Sequence, residues 1–196
     1  MRAQSKDLVK TVQEYLAATC IGPSTLRKQG APDVIQTARD YLAGLDLGRF
    51  ARVKTPAQYV GTIDEITLQL VAAFKKLPEL TKKAPRWGAA RKSINLFMRE
   101  TCYNHTIRRA NNLARLEPWM EIPLDSLVGN TLRSQPGGHV LPKWPGLIGL
   151  DAATNAKYQT FARDHVASPG ETLPALDMRL WLIATEKVRA KAKRAP

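Results

Sequence analysis

Two stretches hold the residues whose types and spacing could do chemistry. They are Pro85–Glu100, PRWGAARKSINLFMRE, and Glu117–Leu132, EPWMEIPLDSLVGNTL. In the first, a glycine turn at Trp87-Gly88 leads into a helical pattern. The opening backbone N–H groups and dipole of such a helix suit an anion, a DNA phosphate among them. Lys92, Asn95 and Arg99 fall at i, i+3 and i+7, one polar stripe opposite the apolar face of Ala90, Ile94 and Phe97. Arg86, Trp87, Gly88, Arg91, Asn95 and Arg99 are the candidate DNA contacts. In the second stretch, Asp125 precedes an apolar-periodic run and reads as the N-cap of a short helix, Ser126 to Leu132. An ordinary amphipathic helix with a basic outer face, and a plain cap, would look the same.

The charge distribution favours a polyanion. The 196 residues carry a formal net charge of +13. Between Lys75 and Arg115 eleven basic residues face only Glu79 and Glu100, and the tail 187–196 holds five more with no acid. The remainder is close to neutral, so the excess has the form of an electrostatic footprint on a phosphate backbone. Composition is otherwise that of a globular chain, 44% hydrophobic and 24% charged, which excludes collagen-like and disordered classes. Cys20 and Cys102 make no disulfide framework or zinc pattern, so no metal or cofactor is expected. The first residues, MRAQSKDLVK, hold no apolar signal core, and no run approaches a membrane span. These features lead to the expectation of an intracellular, soluble chain that meets a polyanion, nucleic acid first and an anionic membrane surface second.

Helical periodicity supplies the elements that must position these residues. Asp7 to Ala18 aligns Leu8, Val12, Tyr15 and Leu16, and a helix opening at Ala31-Pro32-Asp33 aligns Val34, Ala38, Tyr41 and Leu42. Thr62 with Glu65 reads as a capping box for a third helix. A long helix starts at Gly88 or Ala89, Ser134–Gly149 reads as a Pro/Gly-punctuated surface loop, and residues 151–166 and 173–192 read as two more helices. No strand pattern or repeat stands out. The class is all-α, an irregular multi-helix single domain with room for two lobes and the active segment at about 75–133.

The two stretches resemble the helix-hairpin-helix DNA glycosylases. Arg91-Lys92-Ser93 with Asn95 resembles the lysine-bearing start of the second hairpin helix. Ile122-Pro123-Leu124-Asp125 resembles the aspartate element, 33 residues on, a spacing closest to the archaeal-type 8-oxoguanine branch. Leu176 to Trp181, LDMRLW, is similar to that branch's C-terminal helix. The hairpin itself, Trp87-Gly88-Ala89-Ala90, lacks the GxG form, and no iron–sulfur cysteine quartet is present.

The resemblance implies a cytoplasmic, nucleoid-associated monomer, prokaryotic or phage-related and without membrane contact, that excises a modified base from double-stranded DNA, an oxidised purine or a hypermodified phage-type base, in repair or antiviral defence. Asp125 would oppose the positive charge that develops on the sugar as the base departs. Lys92 would be the amine nucleophile that adds an AP-lyase step, its pKa depressed by Arg91 and Arg99. Alternatively Lys92 grips a phosphate and water attacks. The extruded base needs flat partners, for which Trp119, Trp144 and Trp181 are candidates. Asp177 would cap, pair with Arg179, or bind the flipped base. A non-enzymatic helix-hairpin-helix DNA-binding module is the competing reading, and Asp125 separates the two because a pure binder gains nothing from a carboxylate beside DNA.

Neutralising roughly six phosphates should give duplex binding a log–log salt slope of about −5. Removing residues 187–196 should make the slope shallower. A salt-independent affinity would contradict the nucleic-acid reading.

Overall fold

The apolar residues gather into two cores that meet at one acidic residue. In a computed structural model, which describes residues 2–26, 33–77 and 87–192, side chains from Leu16 to Met120 form the first core and those from Ile122 to Leu180 the second. Glu121 lies between them in sequence and is itself buried. The described residues contain helices, turns and loops but no strand. The helices are α1 (Arg2–Cys20), α2 (Pro23–Leu26), α3 (Val34–Ala43), α4 (Pro56–Phe74), α5 (Trp87–Tyr103) and α6 (His105–Ala110) around the first core. Around the second are α7 (Ser126–Arg133), α8 (Gly146–Gly149), α9 (Ala152–Phe161) and α10 (Leu173–Ala192). Arg86 and the tail beyond Ala192 lie outside the described residues, as do the side chains of Lys187, Arg189 and Lys191.

Local signals explain most boundaries. Val34, Ala38 and Leu42 bury one face of α3. The opening of α4 corrects the expected start at Thr62. The effective box is Thr55-Pro56-Ala57-Gln58: Thr55 Oγ1 accepts from the Gln58 N–H at 3.2 Å, and Gln58 Oε1 accepts from the Lys54 N–H at 2.7 Å. Proline at the first helical position adds to it. Thr62 instead donates back to the Gln58 carbonyl inside the helix, at 2.8 Å. On α1 the stripe is narrower than its periodicity implies, because Leu8 and Tyr15 remain exposed. The expected loop over 134–149 contains a three-ten turn, Gly138–Val140, and the single turn α8.

Helix α5 departs furthest from expectation. Every residue from Gly88 to Asn95 is buried, so the helix is the central rod of the molecule and not an amphipathic surface element. It packs against α1 and α4 on one side and α8 on the other. Several of its buried polar groups are therefore answered internally. Arg91 donates to both oxygens of Glu121, Nε to Oε2 at 2.8 Å and Nη2 to Oε1 at 2.7 Å. Its Nη1 also reaches Asp64 Oδ1 at 2.7 Å and Thr67 Oγ1 at 3.1 Å. Asn95 and, from α9, Asn155 complete the shell around Glu121 Oε2 at 2.9 and 3.2 Å. Burial alone would raise the Glu121 pKa, but the Arg91 guanidinium and the two amides override it and hold the carboxyl below its ordinary value.

Removing one partner of a buried, hydrogen-bonded ion pair leaves the other uncompensated. Glu121→Gln should therefore cost about 3–5 kcal/mol of stability in urea unfolding. A loss under about 1 kcal/mol would show that Asp64 alone satisfies Arg91.

Candidate active site

The two cores leave a cleft of about 650 Å³ where α5 faces the start of α7. Lys92 lines it from the first lobe and Asp125 from the second. Lys92 Nζ donates to Asp125 Oδ2 at 3.3 Å and to the Thr25 carbonyl of α2 at 3.4 Å. The lysine side chain is 8% exposed and the aspartate 35% exposed, so the amine is at the floor and the carboxylate is open to the cleft. Asp125 is also a true N-cap: its Oδ1 accepts from the Val128 N–H at 3.0 Å. One oxygen holds the helix and the other holds the amine.

A second carboxylate stands behind this pair. Asp177, on α10, is almost fully buried and forms an ion pair with Arg99 Nη1. Burial pushes its carboxyl up to about 6, against the lowering effect of Arg99 and with further help from the charge of Asp125. Arg99 also reaches Glu100 Oε1 through Nη2 at 2.6 Å. A groove of about 840 Å³ runs beside Arg99 and is lined by Glu100, Tyr103, Met178 and Trp181. Asp177 therefore pairs with Arg99 and not with Arg179, whose guanidinium is held by Glu171 at 2.8 Å.

Several expected DNA contacts are reassigned. Arg91 and Asn95 are 2% and 3% exposed and committed to Glu121, so neither can reach a phosphate. Gly88 is covered by α8: a Cβ there would collide with the Leu147 carbonyl oxygen and stand 2.8 Å from Leu150 Cβ. Gly88 is thus covered and not an open anion contact. Trp87 packs against the second core under the Arg91 guanidinium, 5.3 Å from its ring centre. The cations expected to crowd Lys92 are answered by carboxylates, and its own neighbours are Asp125 and a carbonyl. The basic side chains left at the surface of this segment include Lys75, Lys76 and Arg109.

The aromatic candidates also divide. Trp181 is at the groove beside Arg99. Trp119 packs against the first core and lines a separate small cleft with Trp87, away from Lys92. Trp144 lies against α7, its Nε1 donating to Ser126 Oγ at 3.2 Å, and does not line the cleft. Sequence reasoning passed over Glu121. Its signal was available, a lone acid flanked by the apolar Met120 and Ile122.

Compared with known protein families, curated proteins and solved structures, the chain matches none. Among the described residues, no group of three or more His, Cys, Asp or Glu could hold a metal ion, and no helix is long and apolar enough to cross a membrane.

The raised Asp177 pKa has a stability consequence. Its folded value of about 6 lies above the ordinary aspartate value, so the native state binds the extra proton. The stability linked to it is present at low pH and lost as pH rises from about 4 to about 6. The Tm of Asp177→Asn relative to the parent protein should rise across that window. A pH-independent difference would contradict the shift.

Proposed function

We propose that this chain is a DNA glycosylase of the helix-hairpin-helix type, with an associated AP-lyase step. The observation that carries the reading is the meeting of Lys92 and Asp125. They are 33 residues apart in sequence, on different lobes, and 3.3 Å apart at the floor of a cleft. An amine beside a carboxylate that doubles as a helix cap is the arrangement the resemblance implies. The basic excess of the chain and the groove beside Arg99, Asp177 and Trp181 support a nucleic-acid substrate with an extruded base.

The chemistry follows from the two groups. Lys92 Nζ passes a proton to Asp125 and attacks C1′ of the extruded nucleoside. The C1′–N bond breaks, its electron pair leaves with the base, and the base takes up the proton that Asp125 received from Lys92. Asp125, ionised again, opposes the positive charge on the sugar in the transition state. The C1′–O4′ bond then breaks as a proton passes from Nζ to O4′, which leaves a protonated Schiff base between Nζ and C1′. Loss of a proton from C2′ forms a C2′–C3′ double bond and expels the 3′ phosphate, which cuts the strand, and water hydrolyses the Schiff base to free the lysine.

Borohydride added during turnover on a panel of duplexes with oxidised or bulky modified bases should trap a covalent protein–DNA adduct. Lys92→Gln should abolish trapping and strand cleavage. Asp125→Asn, which keeps most of the cap geometry, should retain duplex affinity and lose on the order of a hundredfold or more in excision rate. Trapping that survives in Lys92→Gln would assign the chemistry to another amine. Binding without excision across the whole panel would favour a non-enzymatic module.

A further inference from the structure

The segment 144–150 touches both helices that carry the reacting pair, and it touches each at a glycine. On α7, the Trp144 ring covers Gly129, where a Cβ would lie 2.6 Å from ring atoms Cδ2 and Cε3. On α5, Leu147 and Leu150 cover Gly88. Each glycine is one helical turn from a reacting residue. Gly129 follows Asp125 by four residues and donates its N–H to the Asp125 carbonyl at 2.8 Å, and Gly88 precedes Lys92 by four residues on the same face of α5. We propose that residues 144–150 are a strap that sets the separation of Lys92 and Asp125, with Trp144 and Leu147 as positioning residues.

The strap is itself anchored. Trp144 meets Tyr158 of α9 edge-on, centroids 5.5 Å apart at 82°, and Tyr158 donates its hydroxyl to the Pro142 carbonyl at 2.8 Å. The indole Nε1–H reaches Ser126, the residue after the cap. Trp144, Leu147 and Trp87 all pack on the second core, so the strap belongs to the lobe of Asp125 and reaches across to the helix of Lys92. Close interior packing transmits a displacement of one side to the other. Glycine is required at both contacts because the gap between helix backbone and strap has no room for a methyl group.

The proposal rests on Lys92 and Asp125 being the reacting pair, so its test has one readout that needs activity and one that does not. Gly129→Ala in the full chain should push Trp144 off α7. Borohydride trapping on a duplex with a single abasic site, under single-turnover conditions, should slow by about tenfold or more, since misplacement by about 1 Å can cost a hundredfold. Affinity for that duplex should change less than about twofold. Independently of any activity, acetic anhydride labelling mapped by mass spectrometry should modify Lys92 faster in the variant, because the amine loses its fixed partner.

Gly129→Ala combined with Trp144→Leu, which makes room for the methyl group, should recover part of the trapping rate. Trp144→Phe removes the Ser126 contact while keeping a ring, and it should shift both readouts the same way if Gly129→Ala does not fold. Unchanged trapping and unchanged labelling would overturn the strap, as would equal losses of binding and trapping with Lys92 still shielded. If the parent protein forms no adduct at all, the lyase reading fails and the labelling result alone judges the strap.

Discussion

The Arg91–Glu121 ion pair is where the two cores are made into one object. Glu121 occupies the residue between the last member of the first core, Met120, and the first of the second, Ile122. A carboxylate there is costly unless it is paired and fully hydrogen-bonded. Arg91 supplies a bidentate partner from α5, and Asn155 supplies an amide from α9, so the acid binds both lobes at once. Adjacent residues on a helix project about 100° apart. With Arg91 committed to the seam on one side, Lys92 is turned towards the cleft, where Asp125 meets it.

Charge is therefore used differently inside and outside. Of the basic residues concentrated between Lys75 and Arg115, Arg91 and Arg99 are tied to carboxylates, and Arg115 donates to the carbonyls of Phe50 and Val53. Those charges hold helices together and leave a narrower set for a phosphate backbone. Within the site an amine stands among carboxylates, Asp125 in direct contact and Asp177 behind, the latter raised by burial. That environment suits a reaction in which positive charge first sits on the amine, then develops on the sugar.

The helix cap at Asp125 was legible because its signal is local. An aspartate just before an apolar-periodic run identifies a cap, and Asp125 caps α7 with the expected geometry. The role of α5 was not legible, because a polar stripe on a helix is taken to face water unless a buried partner is known. The partner was Glu121, thirty positions from Arg91 and invisible to periodicity. Thr62 and Glu65 imitated a capping box that Thr55 and Gln58 provide seven residues earlier. Trp144 looked like a pocket aromatic because prolines flank its segment, whereas a glycine one turn into α7 receives its ring. The burial of α5 and the seating of Trp144 each depend on a contact distant in sequence.

If Lys92 and Asp125 are the reacting pair, the sugar of an extruded nucleotide must reach the floor of the cleft between the two lobes. A crystal structure of Lys92→Gln bound to a duplex carrying a non-hydrolysable modified nucleotide tests it most directly. The account predicts the sugar C1′ between the side chain at position 92 and the Asp125 carboxylate, with the base in the groove beside Arg99 and Trp181. A duplex bound with all its nucleotides stacked, or a sugar held away from Asp125, would contradict it.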